Sequence, residues 1–140
     1  MTRICGVELK ASDAIVSVVS TADEHVEYIE LPTKKIKIDN DENIESIKSF
    51  FDAFCNFINA NEIELIVIKK RAKKGQFAGG PISFKLEALI QLNGTISVEL
   101  LSSQAIAAAD KKEAIAFPVS ILKYQIDSYK AAVCWARTKT

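Results

Sequence analysis

The feature that most restricts the fold of this sequence is a six-residue apolar run, IELIVI, at positions 63–68. A strand with one face in water alternates apolar and polar residues, whereas this run leaves almost no polar position. It therefore predicts a strand buried on both faces, of the kind found in parallel sheets covered by helices. The rest of the chain has to supply helices for both sides of that sheet.

Extended segments on either side of this run predict the remaining strands. Residues 3–10, RICGVELK, alternate, so Gly6 and Glu8 share one face of a strand while apolar side chains take the other. Short connections between the first extended segments favour an antiparallel meander. The predicted strands are 3–10, 14–19, His25–Leu31 with a continuation at 35–38, the apolar run at 63–68, and 96–101.

Helical spacing of apolar residues predicts the elements that cover the sheet. The helices are expected at Glu42–Asn59, Pro81–Leu92 and Val119–Arg137, with a short one at Ser102–Lys112. Asp39 and Glu42 have the spacing of a capping box at the entrance of the first helix.

Composition narrows the protein class. The 140 residues are 49% hydrophobic and 26% charged, which is typical of a globular domain. No apolar run approaches the roughly 20 residues of a membrane span, and the N-terminal residues lead into a strand and not a signal-peptide core. We therefore expect a cytoplasmic protein with no membrane partner, whose three cysteines serve as small hydrophobes. Because the formal net charge is zero, any attraction for nucleic acid must come from local clustering of cations.

The order β-β-β-α-β-α-β-α resembles the RNase H-like fold. Within that superfamily, ICGVELK is similar to the opening strand of RuvC-type resolvases and YqgF-like proteins, and QIDSYKAAVCWA to their last helix. The whole chain is similar to a bacterial family of unknown function, DUF3010, most recognisably in ICGVELK and KKGQFAGGPISFKLEALIQL. These resemblances imply one RNase H-like α/β domain over residues 1–140, with a five-stranded mixed sheet.

The resemblance to resolvases also implies an active site of carboxylates. Glu8 would match the catalytic acid of the first strand and Asp127 that of the last helix, and both would bind magnesium if a metal binds. The sequence departs from the family pattern at Lys69, where resolvases place a glutamate, and at Tyr124, where a further acid is expected. Without a metal, Glu8 would pair with Lys69 across neighbouring strands and Asp127 with Lys130 one helical turn on.

A cluster of cations follows the apolar run directly and precedes a glycine-rich segment, GQFAGG, at 75–80. In open α/β sheets the ends of parallel strands are where ligands bind, and a helix N-terminus attracts phosphate. The predicted phosphate or nucleic-acid contacts are Lys69, Lys70, Arg71, Lys73, Lys74, Gly75, Phe77, Gly79, Gly80 and Lys85. Phe77 is expected to stack on a base. The alternative is a mobile, solvated basic loop whose glycines only turn the chain.

Three hypotheses about function remain open at this point. The first is a DNA- or RNA-binding domain that lacks ordinary two-metal cleavage. The second is a non-catalytic interaction or regulatory module, and the finding of a symmetric homodimer would support it. The third is a weak magnesium-dependent nuclease that uses one ion between Glu8 and Asp127.

Overall fold

Six strands and four α-helices form the described part of the chain, residues 2–72 and 80–138 of the computed structural model. The strands are β1 (Thr2–Lys10), β2 (Asp13–Ala22), β3 (His25–Ile29), β4 (Lys35–Lys37), β5 (Leu65–Lys69) and β6 (Ser97–Leu101). The helices are α1 (Ile44–Ala60), α2 (Pro81–Gln91), α3 (Ser103–Lys112) and α4 (Ile126–Thr138), with a short 3-10 helix at Lys123–Gln125 before α4.

All six strands belong to one mixed sheet with the order β3-β2-β1-β5-β6, and β4 also pairs with β2. β1, β2 and β3 are antiparallel neighbours, whereas β5 and β6 run parallel to β1. This arrangement confirms the predicted mixed RNase H-like sheet, with the apolar run next to the first strand.

The predicted count of five strands is wrong by one. Residues 35–37 do not continue the third strand but form a separate strand, which pairs with β2 through Ile15 and Lys35. Pro32 lies between the two segments and has no N–H for a ladder hydrogen bond, so the chain breaks there.

The two faces of the sheet carry different cores. Alternate residues of β1, including Cys5 and Val7, join the large buried side chains of α1 and α2, among them Phe50 and Phe54. Ile4 instead joins the buried side chains of α3 and α4 on the other face. The alternation predicted for residues 3–10 is therefore confirmed.

Two predicted helix starts are wrong. α1 begins at Ile44, because the side chain of Asn43 accepts a hydrogen bond from the N–H of Ser46 and caps the helix in place of the expected Asp39–Glu42 box. The last helix begins at Ile126 and not at Val119, because the residues between form a loop and the 3-10 helix. No helix in the described ranges has both the length and the apolar character needed to span a bilayer.

Candidate functional site

Gly6 lets α4 lie directly against β1. A Cβ at this position would overlap the backbone oxygen of Ser128 and come within 3.0 Å of the Cβ of Ala132. The space above Gly6, on the strand face that it shares with Glu8, is filled by the backbone of α4. The close approach places the first turn of that helix over the end of β1.

The side chain of Gln125 fixes the start of α4 on β2 and β3. It is fully buried, and its Nε2 donates to the backbone oxygen of Val16 at 3.1 Å and to the hydroxyl of Tyr28 at 3.3 Å. Its Oε1 accepts from the N–H of Leu122, which holds the chain that enters the helix. Two residues after Gln125, the chain presents Asp127.

Glu8, Lys69 and Asp127 meet at the ends of β1, β5 and the beginning of α4. Glu8 and Lys69 are opposite each other in the parallel register of β1 and β5. The Nζ of Lys69 donates to Oδ2 of Asp127 at 3.2 Å. The predicted pairing of Asp127 with Lys130 is wrong, because Lys130 binds Asp110 at 2.9 Å.

The environment of Glu8 favours its protonated form. Glu8 is only 8% exposed, and this burial is the main reason why the pKa of its carboxyl group is raised. The charge of Asp127 and a hydrogen bond between the two carboxyl groups raise this pKa further, while Lys69 and Lys10 oppose the shift. The two carboxyl groups therefore lie side by side, next to one ammonium group.

Two residues of the predicted basic cluster, Lys70 and Arg71, directly follow Lys69. Lys70 is exposed and its N–H donates to the backbone oxygen of Leu101, which extends the β5–β6 pairing by one residue. Arg71 is half-buried, and its Nε has no hydrogen-bond partner among the described residues. The predicted contacts Lys73, Lys74, Gly75, Phe77 and Gly79 lie outside the described residues.

The remaining predicted contacts belong to α2. Gly80 is the residue before its first turn, in an extended conformation, and Pro81 begins the helix as predicted. The Nζ of Lys85 donates to the backbone oxygen of Asp41 at 2.6 Å and lies 3.3 Å from its carboxylate. Since the buried side chains of α2 belong to the core opposite α4, the structure does not bring Lys85 to Glu8 and Asp127.

Sequence comparison decides the family. The model of a family described as "Protein of unknown function (DUF3010)" matches residues 2–135. The chain belongs to the DUF3010 family. No curated protein matches this DUF3010 chain.

Solved structures of resolvases have the same fold as this DUF3010 chain. Thermus thermophilus RuvC superposes with a TM-score of 0.72 at 10% identity, covering 99% of this chain and 98% of RuvC. Fowlpox virus resolvase, in complex with substrate Holliday junction DNA, gives a TM-score of 0.60 at 12% identity and covers 98% of each chain. At such low identity the likeness shows the fold alone.

The candidate site also includes a contact that the sequence did not predict. The Nζ of Lys35 lies 4.3 Å from the ring centroid of Tyr124, one turn before Asp127. Lys35 is opposite Ile15 in the sheet, and Ile15 is opposite Glu8, so this cation is level with the carboxyl pair. Nothing in the local sequence indicates the contact, because it depends on a strand that was not predicted as separate.

Proposed function

We propose that this chain is a nucleic-acid-binding domain of RuvC-like fold that lacks ordinary two-metal cleavage. One observation carries the proposal: Lys69, Lys70 and Arg71 gather at the end of β5, beside the pair formed by Glu8 and Asp127. Strand ends in open α/β sheets are frequent ligand sites, and phosphate backbones bind clustered cations. Support also comes from RuvC and the fowlpox virus resolvase, both of which have been solved with Holliday junction DNA.

The attraction for nucleic acid would come from a local cluster of cations and not from the net charge of the chain. The chain has 18 Lys and Arg against 18 Asp and Glu, so its formal charge is zero. The exposed Lys70 offers a donor for phosphate on one side of Glu8, and the half-buried Arg71 adds positive charge directly after it. Lys35 supplies a further cation on the other side, next to the exposed ring of Tyr124. Lys73, Lys74, Gly75, Phe77, Gly79 and Gly80 remain proposed contacts of the same ligand, whereas Lys85 is no longer proposed as one because it pairs with Asp41 on the other face of the sheet.

The residues at the strand ends do not fit a two-ion centre. Two-metal cleavage needs several carboxylates to hold both ions. Here the ammonium of Lys69 pairs with Asp127 beside Glu8, and this positive charge repels a divalent ion. Residues 2–72 and 80–138 contain no group of three or more His, Cys, Asp or Glu side chains that could hold a metal. A weak one-metal nuclease stays a separate prediction, tested by magnesium- or manganese-dependent cleavage that is lost in Glu8→Gln.

The proposal is tested by charge reversal and salt. Fluorescence anisotropy would measure binding of the full chain to a four-way DNA junction, to duplex and single-stranded DNA, and to RNA. We expect the logarithm of the binding constant to fall linearly with the logarithm of salt concentration, and the double variant Lys70→Glu/Arg71→Glu to lose at least about tenfold in affinity. Phe77→Ala should weaken single-strand binding by about 1–3 kcal/mol if a base stacks on the ring.

A matched control separates the proposed surface from bulk charge. Lys111→Glu/Lys112→Glu reverses two exposed lysines at the end of α3 and makes the same change in net charge. This control should bind within about twofold of the wild type, allowing for long-range electrostatics. No binding to any of these probes at low salt, or equal losses in both double variants, would contradict the proposal.

A second candidate, a homodimeric interaction module, is favoured by a different observation. Phe117, Val119 and Leu122 are exposed in the segment between α3 and the 3-10 helix. Contiguous exposed apolar side chains are typical of interaction surfaces. Sedimentation equilibrium should then show a dimer that Val119→Asp dissociates, while Leu92→Asp, a change at an exposed leucine elsewhere, leaves it intact. A monomer at high protein concentration would end this candidate.

A further inference from the structure

The ammonium of Lys69 takes a position that a bound cation would need. It donates to Oδ2 of Asp127 at 3.2 Å, and its strand position is opposite that of Glu8. The side chain of Lys69 is only 20% exposed, against 42% for Asp127, so most of the lysine side chain is shielded from solvent. Two carboxyl groups and one ammonium thus come together from three separate elements.

The backbone of Lys69 is held on both sides. Lys69 is opposite Glu8 in β1 and opposite Leu101 in β6. A strand paired on both edges cannot change register without breaking both ladders. The ammonium therefore cannot leave the pair by a shift of β5, and only a change of side-chain rotamer would remove it.

A divalent ion and this ammonium compete for the same oxygen. Magnesium binds carboxylate oxygens at about 2.0–2.1 Å and requires nearly octahedral coordination. An ion at that distance from Oδ2 of Asp127 would stand close to the like-charged Nζ of Lys69. Lysine offers a compact positive charge with three donors and needs no defined coordination geometry, so it can satisfy the oxygen alone.

We propose that Lys69 is the built-in cation of the Glu8–Asp127 pair, and that it excludes divalent metal from a site that a single substitution would open. A carboxylate in place of the ammonium would put three acidic groups at one place, with one each from β1, β5 and α4. Such a site would take a hard divalent ion such as Mg²⁺ or Mn²⁺. This inference goes beyond nucleic-acid binding and does not depend on it, because the test measures metal directly.

The test compares Lys69→Glu with a matched control. Lys85→Glu removes a second lysine–aspartate pair of nearly the same length, 3.3 Å to Asp41, away from the site. In EDTA, Lys69→Glu should have a lower Tm than the wild type because of repulsion among three carboxylates. At millimolar Mn²⁺ its Tm should rise by about 5 °C or more, since an ion that binds only the folded state stabilises it. The wild type and Lys85→Glu should show no rise.

Two further variants keep the test decisive if Lys69→Glu does not fold. Lys69→Gln removes the ammonium without adding charge, and electron paramagnetic resonance should detect at least about tenfold tighter Mn²⁺ binding than in the wild type. Tenfold corresponds to about 1.4 kcal/mol, which the repulsion between a divalent ion and a nearby ammonium exceeds. Adding Glu8→Gln to Lys69→Glu should abolish the metal-dependent rise in Tm. Mn²⁺ affinity in Lys69→Gln no greater than in the wild type, or an equal Tm rise in the wild type and Lys69→Glu, would overturn the proposal.

Discussion

The helices α1 and α2 cover one face of the sheet through large side chains, whereas α4 meets β1 on the other face through small residues. Phe50 and Phe54 fill the first core. Ala131 and Ala132 are fully buried in the second, where the backbone of α4 comes close enough to Gly6 to leave no space for a Cβ. Large side chains separate a helix from a sheet by filling the gap with apolar volume, while small ones let polar groups of helix and strand meet. The candidate site is on the second face for this reason.

Stability should depend most on the first face. Phe54→Ala removes a fully buried ring and should lower the free energy of unfolding by about 3–5 kcal/mol, measured by urea denaturation. Because the ring lies on the face away from α4, the folded variant should keep its affinity for nucleic acid. A loss of binding equal to that of Lys70→Glu/Arg71→Glu would break the distinction between the two faces.

The second face should respond most to added volume. Gly6→Ala pushes the backbone of α4 away from β1, which we expect to cost about 1–3 kcal/mol or more. Gly80→Ala is the matched control, because a Cβ there meets nothing within 4 Å, and its effect on stability should stay within about 0.5 kcal/mol. Equal stability of the two variants would show that α4 does not pack tightly on β1.

Loss of the buried side-chain amide of Gln125 should lower the free energy of unfolding by a similar or slightly smaller amount. Gln125→Leu keeps most of the volume but leaves the oxygen of Val16 and the N–H of Leu122 without this partner, at a cost of about 1–3 kcal/mol. Gln91→Leu, at an exposed position of α2, should change the free energy of unfolding by less than about 0.5 kcal/mol. Chemical denaturation of both variants would check the difference.

The smallest expected effect is a pH dependence from Glu8. Because its pKa is raised in the folded state, the folded protein holds this proton more tightly, so Glu8 contributes stability at acid pH that is lost as pH rises through the raised pKa. Glu8→Gln cannot ionise, and its stability relative to the wild type should therefore increase over that window. Urea denaturation at a series of pH values measures this. A difference that does not vary with pH, or that decreases, would contradict the raised pKa.

How much could be predicted from the sequence differed between the fold and the site. The strand alternation of residues 3–10 and the apolar run of β5 depend on local periodicity, and both predictions are confirmed. The start of α4 could not be predicted, because it depends on the contacts of Gln125 with β2 and β3. The neighbouring positions of Glu8 and Lys69 followed from strand order and register, but the contact between Lys69 and Asp127 depends on the approach of α4 at Gly6.

The most direct test of the account is a junction-binding titration with and without divalent metal. Binding of the wild type to a four-way DNA junction would be measured in EDTA and in millimolar Mg²⁺ at matched ionic strength. If Lys69 supplies the cation of the carboxyl pair and the basic cluster supplies the affinity, binding will be clear in EDTA and will not be strengthened by Mg²⁺. Binding that appears only when Mg²⁺ is added would show that a metal ion, and not Lys69, completes the site.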